Sequence, residues 1–534
     1  MFKILLKLRL KQFAKGAVSS GKKDHASLSG GKIILFSLLM IYIVGVFSVL
    51  FYMLSKELSQ AFIPAGLEWL LIAMIGFMVF MLCFFGSVFI VQNQLFEAKD
   101  NEILFSMPIS PMTVLGSRLV TVVIFNYIYE AIVFIPSAVG YFKVVEFNIV
   151  KVLIMLIEFI FLPLLAVLLS TVFAWFASYV ASKSRWQSMI STVIKIVLLT
   201  LYMIVMMQLQ KHLLTVISRG DEIAEAFKEY LVPFYYMGDA VAEKNILSLV
   251  IFALICIIPT IFAVYFISKN YIKIATSKRG RSKGIYRQKE MKAGSIKSAL
   301  LKKEFRHYIS SSMVMLNSGL GQVLLLVFSI YAFVKRDELS IIGMVLGPEF
   351  TGAAICGVFI VCLSTVIITS SSISLEANTL WLLKSLPVSA MDIFGAKIKL
   401  HVLTSLPFII ISAGFVYAAF DFTIVGAAMI VMISFVYTVF TAIIGLLLNL
   451  KYPKFDWISE AAAVKQGLSP FLALLCAMAS AIVPAAMIYF FRESVMMHMD
   501  IALLIVFVFY TLLDMGFYVF LDKYGTKILR ILNY

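Results

Sequence analysis

Glu97-Ala98-Lys99-Asp100-Asn101-Glu102-Ile103-Leu104-Phe105-Ser106-Met107-Pro108-Ile109-Ser110-Pro111-Met112, closing on Gly116-Ser117-Arg118, is a polar interruption between two long apolar runs. It is written twice. The second copy opens at Glu376-Ala377, passes through Ser385-Leu386-Pro387-Val388-Ser389-Ala390-Met391 and closes on Gly395-Ala396-Lys397. At a constant offset of 279 (376 − 97), 8 of these 22 positions are identical. Unrelated sequences would agree at roughly one position in fifteen, so this is an internal repeat, and repeats are settled before any other reading. The chain reads as two copies of one unit, residues 1–282 and 283–534, each carrying the same polar device.

Composition fixes the medium. Of 534 residues, 62% are hydrophobic and only 14% charged, and the mean hydropathy is +1.00. The apolar runs are as long as a bilayer is thick. Their length, without ten-residue alternating segments, specifies helices and excludes a barrel. The fold class is therefore an all-α integral membrane protein. The five cysteines (Cys83, Cys256, Cys356, Cys362, Cys476) all fall in apolar runs, which argues against a disulfide framework or a zinc site. A basic leader of about thirty residues without a small-residue cleavage pattern precedes the first run, which reads as a retained helix.

Twelve spans are predicted, six per half. The first six cover approximately 33–54, 67–91, 119–142, 149–181, 187–208 and 246–268. The second six cover approximately 311–334, 351–373, 400–420, 424–450, 467–491 and 501–521. The fourth is long enough to tilt. With the N-terminus inside, inner segments hold 34 of the 45 Lys and Arg, and the stretch Lys269 to Arg306 alone carries 13. That bias places both termini in the cytoplasm. It also accounts for the net charge of +16 through topology and anionic lipid, so nucleic acid is not an expected partner. An even number of spans gives both halves one orientation, a parallel repeat about an axis along the membrane normal.

Each half opens with a basic amphipathic segment. In the first, Lys3, Lys7, Lys11 and Lys15 recur every four residues, with Leu6, Leu10 and Phe13 on another face. In the second, Leu301, Phe305, Tyr308 and Ile309 line up beside Lys302, Lys303 and Arg306. Both are expected to lie in the membrane interface, on anionic lipid. The repeated device falls between the second and third span of each half. Glu97, Asp100 and Glu102 are acidic where basic residues are favoured, and Pro108, Pro111 and Pro387 force a turn. A short helix, a proline turn and re-entry at Arg118 or Lys397 follow: a stiff knob suited to a soluble partner. The bland alternative is a helix-capping loop.

An interfacial helix, then six spans with a glutamate-bearing connection ending in Ser-x-Pro-x-Ser, resembles the permeases of type-2 ATP-binding-cassette exporters, in their fused two-half form. The resemblance covers essentially the whole chain. It rests on Glu97 to Arg118, Glu376 to Lys397, and Asn449-Leu450-Lys451-Tyr452-Pro453-Lys454-Phe455-Asp456-Trp457 leading to Val464-Lys465-Gln466. This last stretch has a weak counterpart in Lys183-Ser184-Arg185-Trp186. The resemblance implies that a separate pair of ATPase subunits docks on the knobs, through Glu97, Asp100, Glu102, Ser106, Pro108, Glu376, Ser385 and Pro387, and on the interfacial helices. ATP and magnesium would be held by those subunits. The second knob departs from the first by placing Thr379 and Trp381 where Asp100 and Glu102 stand, so the two need not contribute equally.

Chemistry within the chain itself is not expected. Gly30-Gly31-Lys32 lacks the spacing and hydroxyl of a phosphate loop, and no His-Glu-x-x-His or serine triad is written. The five histidines (His25, His212, His307, His401, His498) are scattered, so no metal or cofactor is expected on this chain. Four ionisable residues fall near mid-span: Glu130, Glu158, Lys195 and Asp514. Glu158 and Lys195, in adjacent spans, are expected to pair; Glu130 or Asp514 could line a polar route for cargo or protons. The outer loop from Gln210 to Asn245 reads as a helix lying on the surface, with a lid as the sharper alternative. Two competing functions remain: a major-facilitator-like secondary transporter, which also has parallel six-span halves, and a membrane-embedded transferase, for which the catalytic groups are missing.

Overall fold

The computed structural model describes residues 1–18, 30–96, 100–182, 184, 186–215, 220–275, 294–337, 339, 348–420, 424–457, 460–465, 467–490 and 499–532. Among them every regular element is a helix. They fall into two compact units that divide near residue 284.

The first unit opens with helix Phe2–Val18, followed by Gly30–Phe62, Glu68–Val91, Pro111–Tyr141, Ile149–Ser182, Gln187–Thr215 and Ile246–Ala275. Glu68–Val91 sits at the centre, packed by the helices at 111–141, 149–182 and 232–242, with 246–275 against the last two, around a core that includes Leu70, Leu71, Phe80, Leu162 and Phe252. Outward faces are as apolar as the core: Ile258, Ile261 and Phe262 are 59%, 64% and 69% exposed. Such a surface is stable in hydrocarbon and not in water.

The second unit runs through Ile296–Ser310, Ser312–Ser318, Leu320–Val334, Pro348–Ser364, Ala390–Ala419, Ile424–Lys451, Leu468–Phe490, Met499–Phe520 and the terminal Thr526–Ile531. Its core gathers Phe359, Ile433, Tyr437 and Tyr510 around Ile424–Lys451. Ten helices among the described residues are long and apolar enough to cross a membrane, and a bent pair raises the number to eleven. Gly30–Phe62, 33 residues long, covers the remaining predicted span. Ile149–Ser182 has 34 residues, about 51 Å of helix, and so must tilt or project.

Two departures from the predicted spans matter. The span expected at 311–334 is broken: Ser312–Ser318 and Leu320–Val334 meet at Gly319 with a bend of 58°. A Cβ on Gly321 would lie 2.0 Å from the Cys362 carbonyl oxygen, so only glycine lets this helix approach the second span so closely. The second span is also interrupted. Its α-helix ends at Ser364, and the chain continues through short 3₁₀ turns at Thr369–Ser371 and Ser374–Thr379. Ile367 N–H donates to Ser318 O at 3.0 Å, so one break supplies a partner for the other, as non-helical backbone at membrane depth requires.

In the outer loop Gly220–Tyr230 forms a helix lying at the protein surface, as expected, with Ala224 and Phe227 buried and Glu225, Lys228 and Glu229 exposed. Gly220–Tyr230 is followed by Val232–Ala242, which inserts against Glu68–Val91 with Phe234, Met237, Ala240 and Val241 buried. Gly238 lies on the Trp69 carbonyl, and Phe234 stacks edge-on to Phe77. Of the proline and aromatic residues that suggested an interface, Phe234 is buried against the second span, while Pro233, Tyr235 and Tyr236 are half-buried.

Candidate functional site: the two knobs

Both knobs form as a short helix, an extended residue and a capped span. In the first, Asn101–Ser106 ends as Met107 turns extended, and Pro111–Tyr141 begins. In the second, Leu380–Ser385 ends at extended Leu386, and Ala390–Ala419 begins. The Ser-x-Pro-x-Ser pattern has a local cause. Ser106 and Ser385 hydroxyls donate back to Ile103 O and Leu382 O, each at 2.8 Å. Ser110 and Ser389 are N-caps, accepting from Thr113 N at 3.3 Å and Asp392 N at 3.0 Å. Pro108 and Pro387 are exposed between these serines.

Beneath each knob lies a charge cluster that ties it to the interfacial helix and to the base of the third span. In the second unit Lys397 is 1% exposed, Glu376 2% and Glu304 4%. Lys397 Nζ donates to Glu304 Oε1 and Oε2 at 3.0 and 3.1 Å and lies 3.0 Å from Glu376 Oε2. Lys303 Nζ completes the group, 3.0 Å from Glu304 Oε1 and paired with Glu376 Oε1. Two lysines and two glutamates balance, which is the condition for burying charge at all. Burial alone would raise the Glu304 carboxyl, but the ammoniums of Lys397 and Lys303 outweigh it and hold it below the ordinary range. His307, one turn further along, is pushed down by burial, which Glu376 and Glu304 offset only in part.

In the first unit Arg118, fully buried, takes the place of Lys397. Its NH2 donates to Asp100 Oδ1 at 2.8 Å, and its NH1 to Gln94 O at 2.5 Å and Tyr271 OH at 2.8 Å. Arg9 from the interfacial helix reaches Asp100 Oδ2 at 3.1 Å. The second span ends here in a π-helical turn, Gln92–Phe96, whose looser hydrogen bonding presents carbonyls to a side chain. Tyr271 OH donates to another of them, Leu95 O, at 3.1 Å.

The expected residues divide accordingly. Glu97 lies outside the described residues, as do Lys183, Arg185 and Gln466; of the Glu102 side chain nothing is described. Asp100 and Glu376 face the chain's own cations. Lys3, Lys7, Lys11, Lys302 and Arg306 are exposed, whereas Lys303 turns inward to the cluster. Arg9 and Glu304 were not singled out in the sequence. The signal was the odd residue: the one arginine among the leader's lysines, and an acid within Lys302-Lys303-Glu304-Phe305-Arg306.

Of the mid-span ionisable residues, Glu130, Glu158 and Lys195 lie in the first unit and Asp514 in the second. Glu158 does not pair with Lys195, since neither carboxylate oxygen has a hydrogen-bond partner. The cause is axial. Glu158 is about 36 Å of helix from Ser182, while Lys195 is about 12 Å of helix from Gln187, the next helix's start, so their depths differ. Glu130 is fully buried, and so is Asn126, one turn before it on the same face; the side-chain polar atoms of both lack partners. Asp514 is part-buried, with Oδ1 unpartnered.

Outward-facing apolar helices, a helix break whose backbone is bonded within the protein, and paired charge at the ends of spans define a polytopic helical membrane protein. More particularly, the chain belongs to the family described as membrane proteins of 12 TMs, whose sequence model matches residues 32–514. No curated protein and no solved structure matches the chain.

Proposed function

We propose that this chain is the permease of a type-2 ATP-binding-cassette exporter, resident in a bacterial plasma membrane with both termini in the cytoplasm. Two separate ATPase subunits dock on its knobs, and anionic lipid holds its interfacial helices. The observation that carries this reading is an apolar patch displayed on each knob at matching repeat positions. Ile103 and Met107 are exposed on the first, Leu382 and Leu386 on the second, with Trp381 beside them at 67%. These side chains lie on the short helices Asn101–Ser106 and Leu380–Ser385 and the turns that follow them, between spans. Exposed apolar anchors on a rigid, charge-braced support are what a docking partner uses. Glu376 then acts from below, bracing the knob.

The test is affinity purification of the full chain in mild detergent. Co-purification of an ATPase whose turnover depends on this chain is expected, and Ile103→Asp with Leu382→Asp should abolish it. Unaltered association in that double variant would sink the reading. The orphaned carboxylates of Glu130 and Glu158 favour the second reading, a transporter driven by an ion gradient. Uptake or export by the purified chain alone, following an imposed proton gradient, would establish that one instead.

A further inference from the structure

The third spans of the two units are in register. Pro111–Tyr141 and Ala390–Ala419 begin at the offset of the repeat, 279 (390 − 111). Position by position, Ser405 then stands for Asn126, and Ile409 for Glu130. All four side chains are enclosed: Asn126, Glu130 and Ser405 are 0% exposed and Ile409 1%. The second unit therefore fills the place of Glu130 with hydrocarbon. It also satisfies the place of Asn126, since Ser405 Oγ donates to His401 O and accepts from Gln322 Nε2, each at 2.9 Å. Packing at this level of the span asks only for an apolar side chain, and the first unit puts an acid there.

Among the described residues nothing neutralises that acid. Neither Glu130 oxygen has a hydrogen-bond partner, and neither do Oδ1 and Nδ2 of Asn126. One turn to either side, Tyr127 and Phe134 pack on Phe159, with ring centres 5.7 and 5.9 Å apart. From Glu68–Val91 the Cys83 thiol comes closest, donating to the Asn126 carbonyl at 3.6 Å. The Tyr127 hydroxyl is engaged with Ile160 O at 2.9 Å, and Glu158 on Ile149–Ser182 is a second acid. The cations of the surrounding helices are held elsewhere. Arg9 and Arg118 bind Asp100, and Lys151 binds Glu68 beside Tyr141. Along the helix, Arg118 is about 18 Å from Glu130 and Tyr141 about 17 Å. Lys56 of Gly30–Phe62 meets the span at Gly140, and Lys269 of Ile246–Ala275 lies over Tyr265.

A carboxylate enclosed in this way is not sustained as a bare anion; it takes up a cation. The proton is the cation that suits the groups present. It needs one oxygen, whereas a metal cation of the hard type needs a ring of them, and the polar side chains here are one carboxyl and one amide. The amide can serve both states across a single helical turn: Oδ1 accepts from the neutral carboxyl, and Nδ2 donates to the anion.

We propose that Glu130 is a proton-binding site of the first unit, with Asn126 as its positioning residue and no counterpart in the second. The ion-gradient reading has a use for such a site, but proton binding stands apart from both transport readings, and its test involves neither an ATPase nor transport.

The experiment titrates the full chain in nanodiscs from pH 9 to pH 5 and counts the protons bound, in wild type and in Glu130→Ile. Wild type should bind about one proton more per chain over this range. Glu130→Ile should melt at or above the wild-type midpoint, as Ile409 leads one to expect. Asn126→Leu should keep the count and raise the proton affinity about tenfold, because the ionised carboxyl loses the stronger of its hydrogen bonds. Dicyclohexylcarbodiimide, which adds to a protonated carboxyl, locates the site: Glu130 should be labelled in acid and spared as the pH rises. Equal proton counts in wild type and Glu130→Ile would overturn the proposal, whether the carboxyl is neutral or ionised throughout. Labelling of Glu130 that ignores pH, or that sodium ion suppresses at fixed pH, would overturn it too, the latter in favour of a metal-cation site. Glu130→Ile melting far below wild type would make the acid a structural one, and Glu130→Gln then repeats the count in a folded chain.

Discussion

Lys397 Nζ bridges both carboxylate oxygens of Glu304, 93 residues earlier in the chain, at 3.0 and 3.1 Å in a site closed to solvent. The third span and the interfacial helix are thereby fixed to one another by a bond with little room for error. Replacing Lys397 with Met leaves Glu304 and Glu376 facing each other with only Lys303 between them. The expected loss is about 3–5 kcal/mol, the cost of an uncompensated buried charge. A thermal melt in detergent checks it; a midpoint unchanged from wild type would contradict it.

The same cluster sets a pH dependence. Lys397 and Lys303 depress the Glu304 carboxyl in the folded chain against the opposing effect of burial. The unfolded chain therefore binds more protons in acid. The stabilisation is complete above the ordinary glutamate value of about 4.3 and is lost as pH falls below it toward the folded value. Melting midpoints recorded from pH 6 to pH 3 should drop at the acid end, and by less in Glu304→Gln. Parallel curves for the two proteins would refute the assignment.

The serine caps predict a smaller effect, present in both halves. Ser110→Ala and Ser389→Ala each remove an acceptor for a backbone N–H at the start of a third span. Each should cost about 1 kcal/mol; Ser110→Asp should be close to neutral, whereas Ser389→Asp should be worse than Ala, because the Ser389 hydroxyl donates to Asp392 Oδ2 at 2.7 Å and a carboxylate there would repel it. Denaturation midpoints of the four variants decide this.

Two glycines at the contact between Val232–Ala242 and Glu68–Val91 should differ sharply. A Cβ at Gly238 would lie 2.1 Å from the Trp69 carbonyl oxygen, whereas one at Gly76 meets only the flexible end of Met237. Gly238→Ala must push the helix off the second span, at about 1–3 kcal/mol, and Gly76→Ala should be tolerated. Faster proteolysis or amide exchange across residues 231–242 in Gly238→Ala, and not in Gly76→Ala, is the expected result.

What could be read from the sequence follows from the range of each force. Hydrophobic run length specified the helices, and proline with serine marked both knob turns, because these are local effects. Ser-x-Pro-x-Ser was read as a signature and proved to be capping chemistry. The Glu158–Lys195 pair failed because adjacency in sequence says nothing about depth along two helices of different start. The clusters at Arg9–Asp100–Arg118 and Glu304–Lys397–Glu376 depend on which face of an interfacial helix turns inward, and a basic helix with one odd residue leaves that choice to packing. Gly319 and Thr365, where spans break, sit in stretches whose average hydropathy is that of an uninterrupted helix.

The buried helix Val232–Ala242 has a consequence for the joining of two units in one polypeptide. Between Leu468–Phe490 and Met499–Phe520, at the corresponding place in the second unit, only residues 491–498 intervene, too few for a second hairpin of that kind. An assembly of two identical subunits would carry such a helix twice or not at all. Within one chain the two units are free to differ, the first keeping a short helix wedged on its second span and the second making the same connection in eight residues.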